Sequence, residues 1–415
     1  MEKQETKSTL LNILYNSFGT IFYYGCQWLT TLLVVSLSGF EDGGNYSLAM
    51  TFTAAFGILA LFNTRQYQVS DVRGEYSDKT YVRSRVVAMA IAFFICFIGL
   101  FFNSYTPYQW GAILLYMLHK CGEAWIDVYH GVDQKNGRMD YVGISFVIRG
   151  ILMLVSFCGV LAATKNLVCA IGSMTFMTFF MGVMYDKRKA ERFIDKTEQV
   201  DREAVKCLML AMVPLVIVAV TNNLSISLPK YFLERYYDAK VLGYYSSVAT
   251  PSMIVQVGAT TIFIPLITPL AGRLSENDKK GFLSILKKVA IVFAGLSVLA
   301  LIVSALLGEW FLVLVFKEEI RPYTYLFVPI IISTLFISIN ACLFTVCTVL
   351  REIKGQLVVG IAGLISSFFA SMFFVREYAM DGVVIALLIT LGIQIIIEIG
   401  CVYRKMSKWK ETENG

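Results

Sequence analysis

The feature that most constrains the fold is a series of long apolar segments between residues 10 and 403, separated by short charged loops. An α-helix needs about 20 apolar residues to cross the hydrocarbon core of a bilayer, and it satisfies its own backbone hydrogen bonds there. The sequence therefore predicts an all-α polytopic membrane protein with twelve transmembrane helices. The predicted spans are 10–36, 45–63, 85–103, 108–130, 141–163, 166–185, 205–229, 243–268, 284–307, 323–350, 354–375 and 380–403. The apolar run 310–316 is too short to cross and is expected at the end of the ninth hairpin or at the interface.

The distribution of lysine and arginine predicts the orientation of these spans. With the N-terminus in the cytoplasm, 27 of the 36 cationic residues fall on the cytoplasmic side and 7 fall outside. The remaining two, Lys120 and Arg149, lie inside predicted spans. Cytoplasmic loops of membrane proteins carry an excess of lysine and arginine. The distribution therefore predicts an even number of spans and two cytoplasmic termini.

Composition excludes several classes of soluble protein. Hydrophobic residues make up 57% of the chain and the mean hydropathy is +0.65, whereas soluble domains are about 45–50% apolar. The net charge of +6 resides at span ends, so anionic membrane lipid is the expected partner and nucleic acid is not. The sequence has no phosphate-binding Gly-Lys-Ser loop, no zinc-spaced cluster and no Gly-x-Ser-x-Gly motif. We therefore expect no cofactor, no metal and no enzymatic active site. The nine cysteines are scattered and are expected to pack among apolar residues.

The most charged interior loop divides the twelve spans into two groups of six. It predicts an N-lobe at 1–185, a cytoplasmic linker at 186–204, and a C-lobe with a cytoplasmic tail at 205–415. A weak repeat agrees with this division, since the sequence GNYS at 44–47 corresponds to GYYS at 243–246. Both segments enter their spans in the same direction. The repeat therefore favours two parallel lobes related by an axis along the membrane normal.

Span 4 concentrates ionisable residues on one face. At about 100° per residue, five side chains fall within a single arc of about 100°. They are His119, Lys120, Glu123, Asp127 and His130. Charges at bilayer depth are costly and normally face a cavity or a partner. The histidines are expected to be interfacial polar groups.

Arg149 lies in the next span, at a depth that matches that of Glu123. Two interpretations remain open. In the first, Glu123 and Asp127 neutralise Lys120 and Arg149 and merely join two helices. In the second, the cluster lines a hydrated cavity in which the cations contact an anionic substrate.

The first helix of each predicted lobe also carries polar residues. The principal ones are Asn12, Asn16, Tyr23 and Gln27 in span 1 and Asn222 and Asn223 in span 7. Polar side chains in lipid often join helices by hydrogen bonds, and a cavity wall is an equally good interpretation here. Glu398 lies towards the cytoplasmic end of span 12, where it is expected to extend to the interface.

Several local stretches resemble one family of membrane proteins. They are RQYQVSDVRGEYS at 65–77, EAWID at 123–127 with QKNGRMD at 134–140, and SLPKYFL at 227–233 with LGYY at 242–245. Together with the span count and the length, these stretches resemble polysaccharide-transport proteins of the multidrug/oligosaccharidyl-lipid/polysaccharide (MOP) superfamily. The resemblance is to O-antigen and capsule repeat-unit flippases in particular, and it covers essentially the whole chain.

The resemblance implies two six-helix lobes around a central cationic cavity in a bacterial inner membrane. The implied substrate is an undecaprenyl-pyrophosphate-linked oligosaccharide, moved from the inner to the outer leaflet by alternating access, with glycan polymerases as further partners. Arg65, Lys120 and Arg149 are the expected pyrophosphate contacts, because guanidinium and ammonium groups match phosphate oxygens. Lys230 is expected to contact the headgroup on the outer side.

Two other functions remain open at this stage. An ion-coupled drug or small-molecule antiporter of the same superfamily would use carboxylates for a cationic ligand, and Glu123 and Asp127 are the candidates. A membrane glycan polymerase or ligase would normally carry a large exterior loop, and the exterior loops predicted here are short.

Overall fold

The computed structural model describes residues 2–71, 75–195, 200–253, 255–256, 270, 272–274, 276–350 and 352–409. Its α-helices are α1 (Glu2–Leu61), α2 (Thr64–Ser70), α3 (Asp78–Leu100), α4 (Pro107–Lys135), α5 (Met139–Thr164), α6 (Leu167–Met181), α7 (Arg188–Ala190), α8 (Arg202–Tyr236), α9 (Ala239–Ala249), α10 (Lys279–Phe316), α11 (Phe327–Val349), α12 (Ile353–Ala370) and α13 (Arg376–Lys408). Two π-helical segments, Gly182–Lys187 and Ser371–Val375, and a 3-10 segment, Glu318–Leu326, connect some of them.

Most of the predicted spans coincide with these helices. By length and composition, eight segments of the described chain are apolar enough to cross a membrane. The first, Tyr15–Leu61, contains predicted spans 1 and 2, and the last, Lys354–Ser407, contains spans 11 and 12. Helix α4 is more charged but has 29 residues, and at 1.5 Å per residue it is long enough to cross. Predicted span 8 begins in α9, and most of its remainder lies outside the described residues.

Two helices differ in detail from the predicted spans. Gly39 has φ 89° and ψ 176° and separates the two halves of α1. Glycine adopts such a positive φ without steric cost because it has no Cβ. The apolar run 310–316 is not a separate interfacial segment, because α10 continues through it to Phe316.

The chain divides into two compact units, Met1–Val220 and Thr221–Gly415, with the boundary inside α8. The lobe and linker bounds given above remain predictions. Part of the predicted linker, 196–199, lies outside the described residues. Its first residue, Asp186, is buried and belongs to the π-helical segment that follows α6.

In the first unit, α5 packs most extensively against α1, and glycines determine how close the two helices come. A Cβ placed on Gly19 would lie 2.4 Å from the carbonyl oxygen of Gly143. A Cβ on Gly143 would lie 2.3 Å from the carbonyl oxygen of Tyr15. The backbones therefore touch directly, as small residues permit between membrane helices. Because the helices touch at Gly19, the side chains one turn further along α1 lie next to side chains of α5.

In the second unit, α13 packs against α11 and α12. A Cβ on Gly363 of α12 would lie 2.1 Å from the Gln394 amide nitrogen of α13. The Ser367 hydroxyl donates a hydrogen bond to the carbonyl of Ser225 in α8, with an O–O distance of 2.6 Å. Glycine and serine thus allow close helix packing here as well.

Large apolar side chains are exposed along the outer faces of both units. In α10 they include Ile291, Val298 and Leu306, the last of which is 75% exposed. A soluble monomer rarely exposes contiguous apolar surface of this extent. These faces are suited to lipid, and the chain is a helical membrane protein.

Candidate functional site

Glu123 lies at the centre of the most developed polar cluster of the first unit. Its carboxylate accepts hydrogen bonds from the Tyr23 hydroxyl and, at 3.2 Å, from the Gln27 amide. The Lys120 ammonium donates to the other oxygen at 2.7 Å. Tyr23 and Gln27 belong to α1, whereas Lys120 and Glu123 lie one turn apart on α4. The cluster therefore joins α1 to α4. The aliphatic stem of Lys120 lies close to Gly57, where a Cβ would be 3.6 Å away.

Arg149 of α5 lies beside this cluster without a counterion. Its guanidinium carbon is 4.2 Å from the centroid of the Tyr23 ring and 5.1 Å from that of Phe146. The residue is only 4% exposed, and its Nε has no hydrogen-bond partner. Within the described part of the chain, no carboxylate oxygen lies within 4.0 Å of its guanidinium. Tyr23 therefore contacts both charges, donating to Glu123 through its hydroxyl and facing Arg149 with its ring.

Asp127 forms a second cluster, with partners that sequence spacing does not indicate. Its carboxylate pairs with Arg65 at 3.2 Å and with Arg85 of α3 at 2.8 Å. The Arg65 Nε also donates to the side-chain amide oxygen Oε1 of Gln134 at 3.0 Å. The proposed pairing of Asp127 with Lys120 or Arg149 is wrong in this structure, because α2 and α3 bring two arginines to its carboxylate instead.

Arg85 is the functional candidate that sequence reasoning missed. It lies at the edge of the predicted third span and was therefore counted among the cations that set the topology. In the structure its side chain is fully buried and also donates weakly to the Ala60 carbonyl, at 3.5 Å. A signal was available, since α3 extends back to Asp78 and places Arg85 two turns inside the helix.

Both histidines of α4 are buried, so the prediction that they are interfacial is wrong. His119 Nδ1 lies 3.1 Å from the Thr178 hydroxyl of α6. His130 Nε2 lies 3.0 Å from the Asp186 carboxylate, and each of these two residues is 1% exposed. The reason is that α6 and its π-helical extension cover this side of α4. The histidines join helices of the first unit.

The remaining predicted residues lie in different environments. The side chain of Asn12 is outside the described residues, and Asn16 is half-buried. Asn222 accepts a hydrogen bond from Gln394 at 3.3 Å, and Asn223 accepts a long one from Ser227 at 3.5 Å. Tyr23, Gln27 and Asn222 thus bond to other helices. Whether any of these residues also lines a cavity remains a prediction.

Lys230 belongs to the second unit, near the end of α8. Its ammonium lies 6.0 Å from the centroid of the Tyr245 ring of α9. It forms no ion pair with any acidic residue that the structure describes. Like Arg149, it is a cation set against an aromatic ring rather than a carboxylate.

Asp71 lies in the stretch at 65–77 that carries part of the family resemblance, of which residues 72–74 are outside the described residues. Its carboxylate accepts hydrogen bonds from the backbone N–H groups of Glu75 and Tyr76, at 2.9 and 3.1 Å, and from the Tyr81 hydroxyl at 2.9 Å. Burial raises the pKa of this carboxyl, but the three donors outweigh burial and hold the pKa below its ordinary value. Ionised Asp71 therefore stabilises the positions of Glu75, Tyr76 and Tyr81, which bond to it.

The charges of the Glu123 cluster and of Arg149 beside it do not cancel. Lys120 and Arg149 contribute two positive charges and Glu123 one negative charge, so the group is positive by one. Lys120 pairs with Glu123, whereas the buried Nε of Arg149 has no hydrogen-bond partner among the described residues. Guanidinium donors of this kind bind planar, multidentate anions such as carboxylates and phosphates. The site is suited to an anionic group more than to a cationic one.

Comparisons with known proteins support the fold. No protein-family model matches the chain. The capsular polysaccharide biosynthesis protein CapF of Staphylococcus aureus is 22% identical over 387 residues, covering 93% of this chain and 97% of that protein. An inward-facing multidrug resistance MATE family transporter of the MOP superfamily superposes with a TM-score of 0.71 at 10% identity, covering 97% of this chain and 99% of that one.

Two further solved structures agree. A mutant of the Vibrio cholerae MATE transporter VcmN has a TM-score of 0.66 at 13% identity, over 98% of this chain and 97% of that chain. A MOP superfamily transporter from Pyrococcus furiosus, described as having a binding pocket of reversed polarity, has a TM-score of 0.64 at 10% identity over the same shares. The predicted class of twelve transmembrane helices in two lobes is confirmed. The chain has the fold of the MATE transporters, as expected from its resemblance to polysaccharide-transport proteins of the MOP superfamily.

Proposed function

We propose that this chain is a flippase for a lipid-linked oligosaccharide with an anionic pyrophosphate headgroup. It moves this substrate from the inner to the outer leaflet of a bacterial inner membrane by alternating access, with both termini in the cytoplasm. Arg149 and Lys120 bind the pyrophosphate, Arg65 assists at the cytoplasmic side, and Lys230 receives the headgroup on the outer side. Glycan polymerases use the product.

The observation that carries this proposal is the environment of Arg149. A buried cation without a counterion is costly, and proteins normally pair such a group. Arg149 is stabilised instead by two aromatic rings, which leave its N–H donors available. An incoming phosphate would satisfy them, while Lys120 adds a second positive charge. The similarity to the capsular polysaccharide biosynthesis protein of Staphylococcus aureus supports a glycan substrate.

The second candidate is an ion-coupled antiporter of drugs or small molecules, and the shared MATE fold favours it. A cationic drug requires a free carboxylate. In the first unit, Glu123 and Asp127 are already bound by Lys120, Arg65 and Arg85. The reversed pocket polarity of the Pyrococcus furiosus transporter, which suggests a different function for that protein, supports a different pocket on the same fold. We therefore favour the anionic substrate.

The test is deletion of the gene followed by identification of the lipid-linked glycan that accumulates on the cytoplasmic side. Complementation then compares Arg149→Ala, Lys120→Ala and the double variant with the wild type at equal membrane levels. Hydrogen bonds to charged groups contribute about 1.5–3 kcal/mol, so we expect each single variant to weaken apparent affinity by about 10- to 100-fold. Arg149→Lys should rescue only in part, since an ammonium lacks the planar fork.

Arg192→Ala is the matched control, because Arg192 is an exposed arginine of the same unit. It should transport as the wild type does. Full activity of the double alanine variant would contradict the proposed binding mode. If no lipid-linked glycan accumulated and cells instead lost resistance to cationic drugs, the antiporter would be the correct function.

A further inference from the structure

Glu398 of α13 is a buried carboxyl group that the proposed pyrophosphate site does not use. It is 0% exposed, and neither of its oxygens has a hydrogen-bond partner. No lysine, arginine or histidine nitrogen of the described chain lies within 4.0 Å of it. The expectation that this side chain extends to the interface is therefore wrong, because α11 and α12 cover its face of α13.

The groups around Glu398 do not neutralise it. The titratable groups within electrostatic range of it or of its neighbours are Cys342 and Cys347 of α11, Cys401 and Arg404 of α13, and Glu352, which precedes α12. Glu352 is itself bound by Lys405 at 3.2 Å. The described titratable side chains that Glu398 itself affects electrostatically are thus thiols, which are neutral unless strongly perturbed. Among the described residues of these helices, no side chain forms a hydrogen bond or ion pair with the Glu398 carboxyl group.

An ionised carboxylate without hydrogen bonds carries a large desolvation penalty, whereas a neutral carboxylic acid carries a much smaller one. A hard metal cation is a poor alternative occupant, because it requires several oxygen ligands, and within the described residues no group of three or more His, Cys, Asp or Glu side chains is placed to hold a metal ion. We propose that Glu398 is a gated proton-binding site, protonated in this conformation and deprotonated when α13 repacks and water reaches it. The reaction is the dissociation of the carboxylic acid into a carboxylate and a proton released to water, with reprotonation from the opposite side.

A chain of amides connects the repacking of α13 to another helix of the second unit. One turn before Glu398, the side-chain amide oxygen Oε1 of Gln394 accepts a hydrogen bond from the Asn340 side chain of α11 at 3.2 Å. The Gln394 amide donates to Asn222 of α8 at 3.3 Å. Any rotation of α13 that exposes Glu398 must break or shift these bonds. Protonation of Glu398 therefore favours the arrangement in which the amide chain is intact. This inference deepens the proposed function, since it names the proton as the ion exchanged during the transport cycle.

Infrared spectroscopy of the purified protein tests the site without any substrate. We expect a protonated-carboxyl C=O band at neutral pH that is lost in Glu398→Gln, an isosteric neutral variant that should fold normally. Glu309→Gln removes an exposed glutamate, 65% exposed at its side chain, and should leave the band in place. In heavy water the band should shift at least tenfold more slowly than that of an exposed carboxyl group. A band that is absent at neutral pH, or that shifts at once, would overturn the proposal.

Transport provides an independent readout. Vesicles carrying lipid-linked glycan isolated from the deletion strain are given an imposed proton gradient. The wild-type rate should respond to the gradient, and the Glu398→Gln rate should not. A variant with the wild-type response would refute a role for this proton in the cycle. If the infrared band behaves as expected but no glycan moves with wild-type protein, the proton site stands and the flippase function fails.

Discussion

The contact between α1 and α5 predicts a measurable defect for Gly19→Ala. The new Cβ would lie 2.4 Å from the Gly143 oxygen and 2.7 Å from its Cα. Ordinary contacts of this kind are about 3.5 Å, so the two backbones must separate by about 1 Å. Overpacking of this size costs about 1–3 kcal/mol, against a gain of about 1 kcal/mol from replacing glycine by alanine in a helix.

Gly25→Ala is the matched control on the same helix, because apart from its chain neighbours and the adjacent helix backbone no described atom lies within 4 Å of the position that its new Cβ would take. Both variants have the same propensity gain, so the difference between them isolates the backbone clash. We expect Gly19→Ala to be less stable than Gly25→Ala by about 1–3 kcal/mol. Unfolding by denaturing detergent, followed by helical circular dichroism, measures this difference. Equal stabilities of the two variants would refute the direct backbone contact.

Gly19→Ala should also disturb the candidate site. Tyr23 follows Gly19 by one helical turn and lies against Arg149 of α5. A displacement of α1 from α5 separates the tyrosine ring from the guanidinium. We therefore expect weaker transport in Gly19→Ala at a temperature where the protein remains folded, and unchanged transport in Gly25→Ala.

Three further outcomes are expected. Asp127→Asn should lower the free energy of unfolding by about 3–5 kcal/mol, because it leaves fully buried Arg85 unpaired. Asp140→Asn breaks a half-exposed ion pair and should lower the free energy of unfolding by about 1 kcal/mol or less. Denaturant titration of both variants measures the difference. Glu123→Gln should slow transport turnover more than it weakens substrate binding. It should also change how the transport rate responds to membrane potential, which acts on a charge at about 2.3 kcal/mol per 100 mV. Wild-type transport at every imposed potential would make the carboxylate purely structural. Asp71→Asn should be less stable than the wild type at neutral pH by about 1–3 kcal/mol. The native pKa of Asp71 is lowered, so this difference in stability should be complete above the ordinary aspartate pKa of about 3.9. It should disappear as the pH falls through the lower native pKa. A difference that persists unchanged in acid would assign the effect to shape rather than charge.

The predicted spans illustrate what local sequence properties determine. Apolar length and the 3.6-residue period are properties of a single segment, so the helices were predictable without knowledge of their neighbours. The pair of Lys120 with Glu123 is of this kind, since residues three apart lie on one helix face. Kinks are also local when glycine provides them, although Gly39 was not identified from the sequence.

Contacts between helices were less predictable. The sequence placed Asp127 on the correct face of α4 but not next to Arg65 and Arg85, because this pairing depends on how α2 and α3 pack. The burial of His119 and His130 likewise depends on α6, which is distant in sequence.

The sequence by itself determined the membrane class, most of the helices and the face of α4 that carries the charges. Only the tertiary structure decided which of those charges are paired. Within the described part of the chain, no carboxylate pairs with Arg149, against which α1 places a tyrosine ring, and no polar group pairs with the Glu398 carboxyl group. The physical reason is that the free energy of a charge in lipid depends on the atoms within a few ångströms, and helices far apart in the chain supply those atoms.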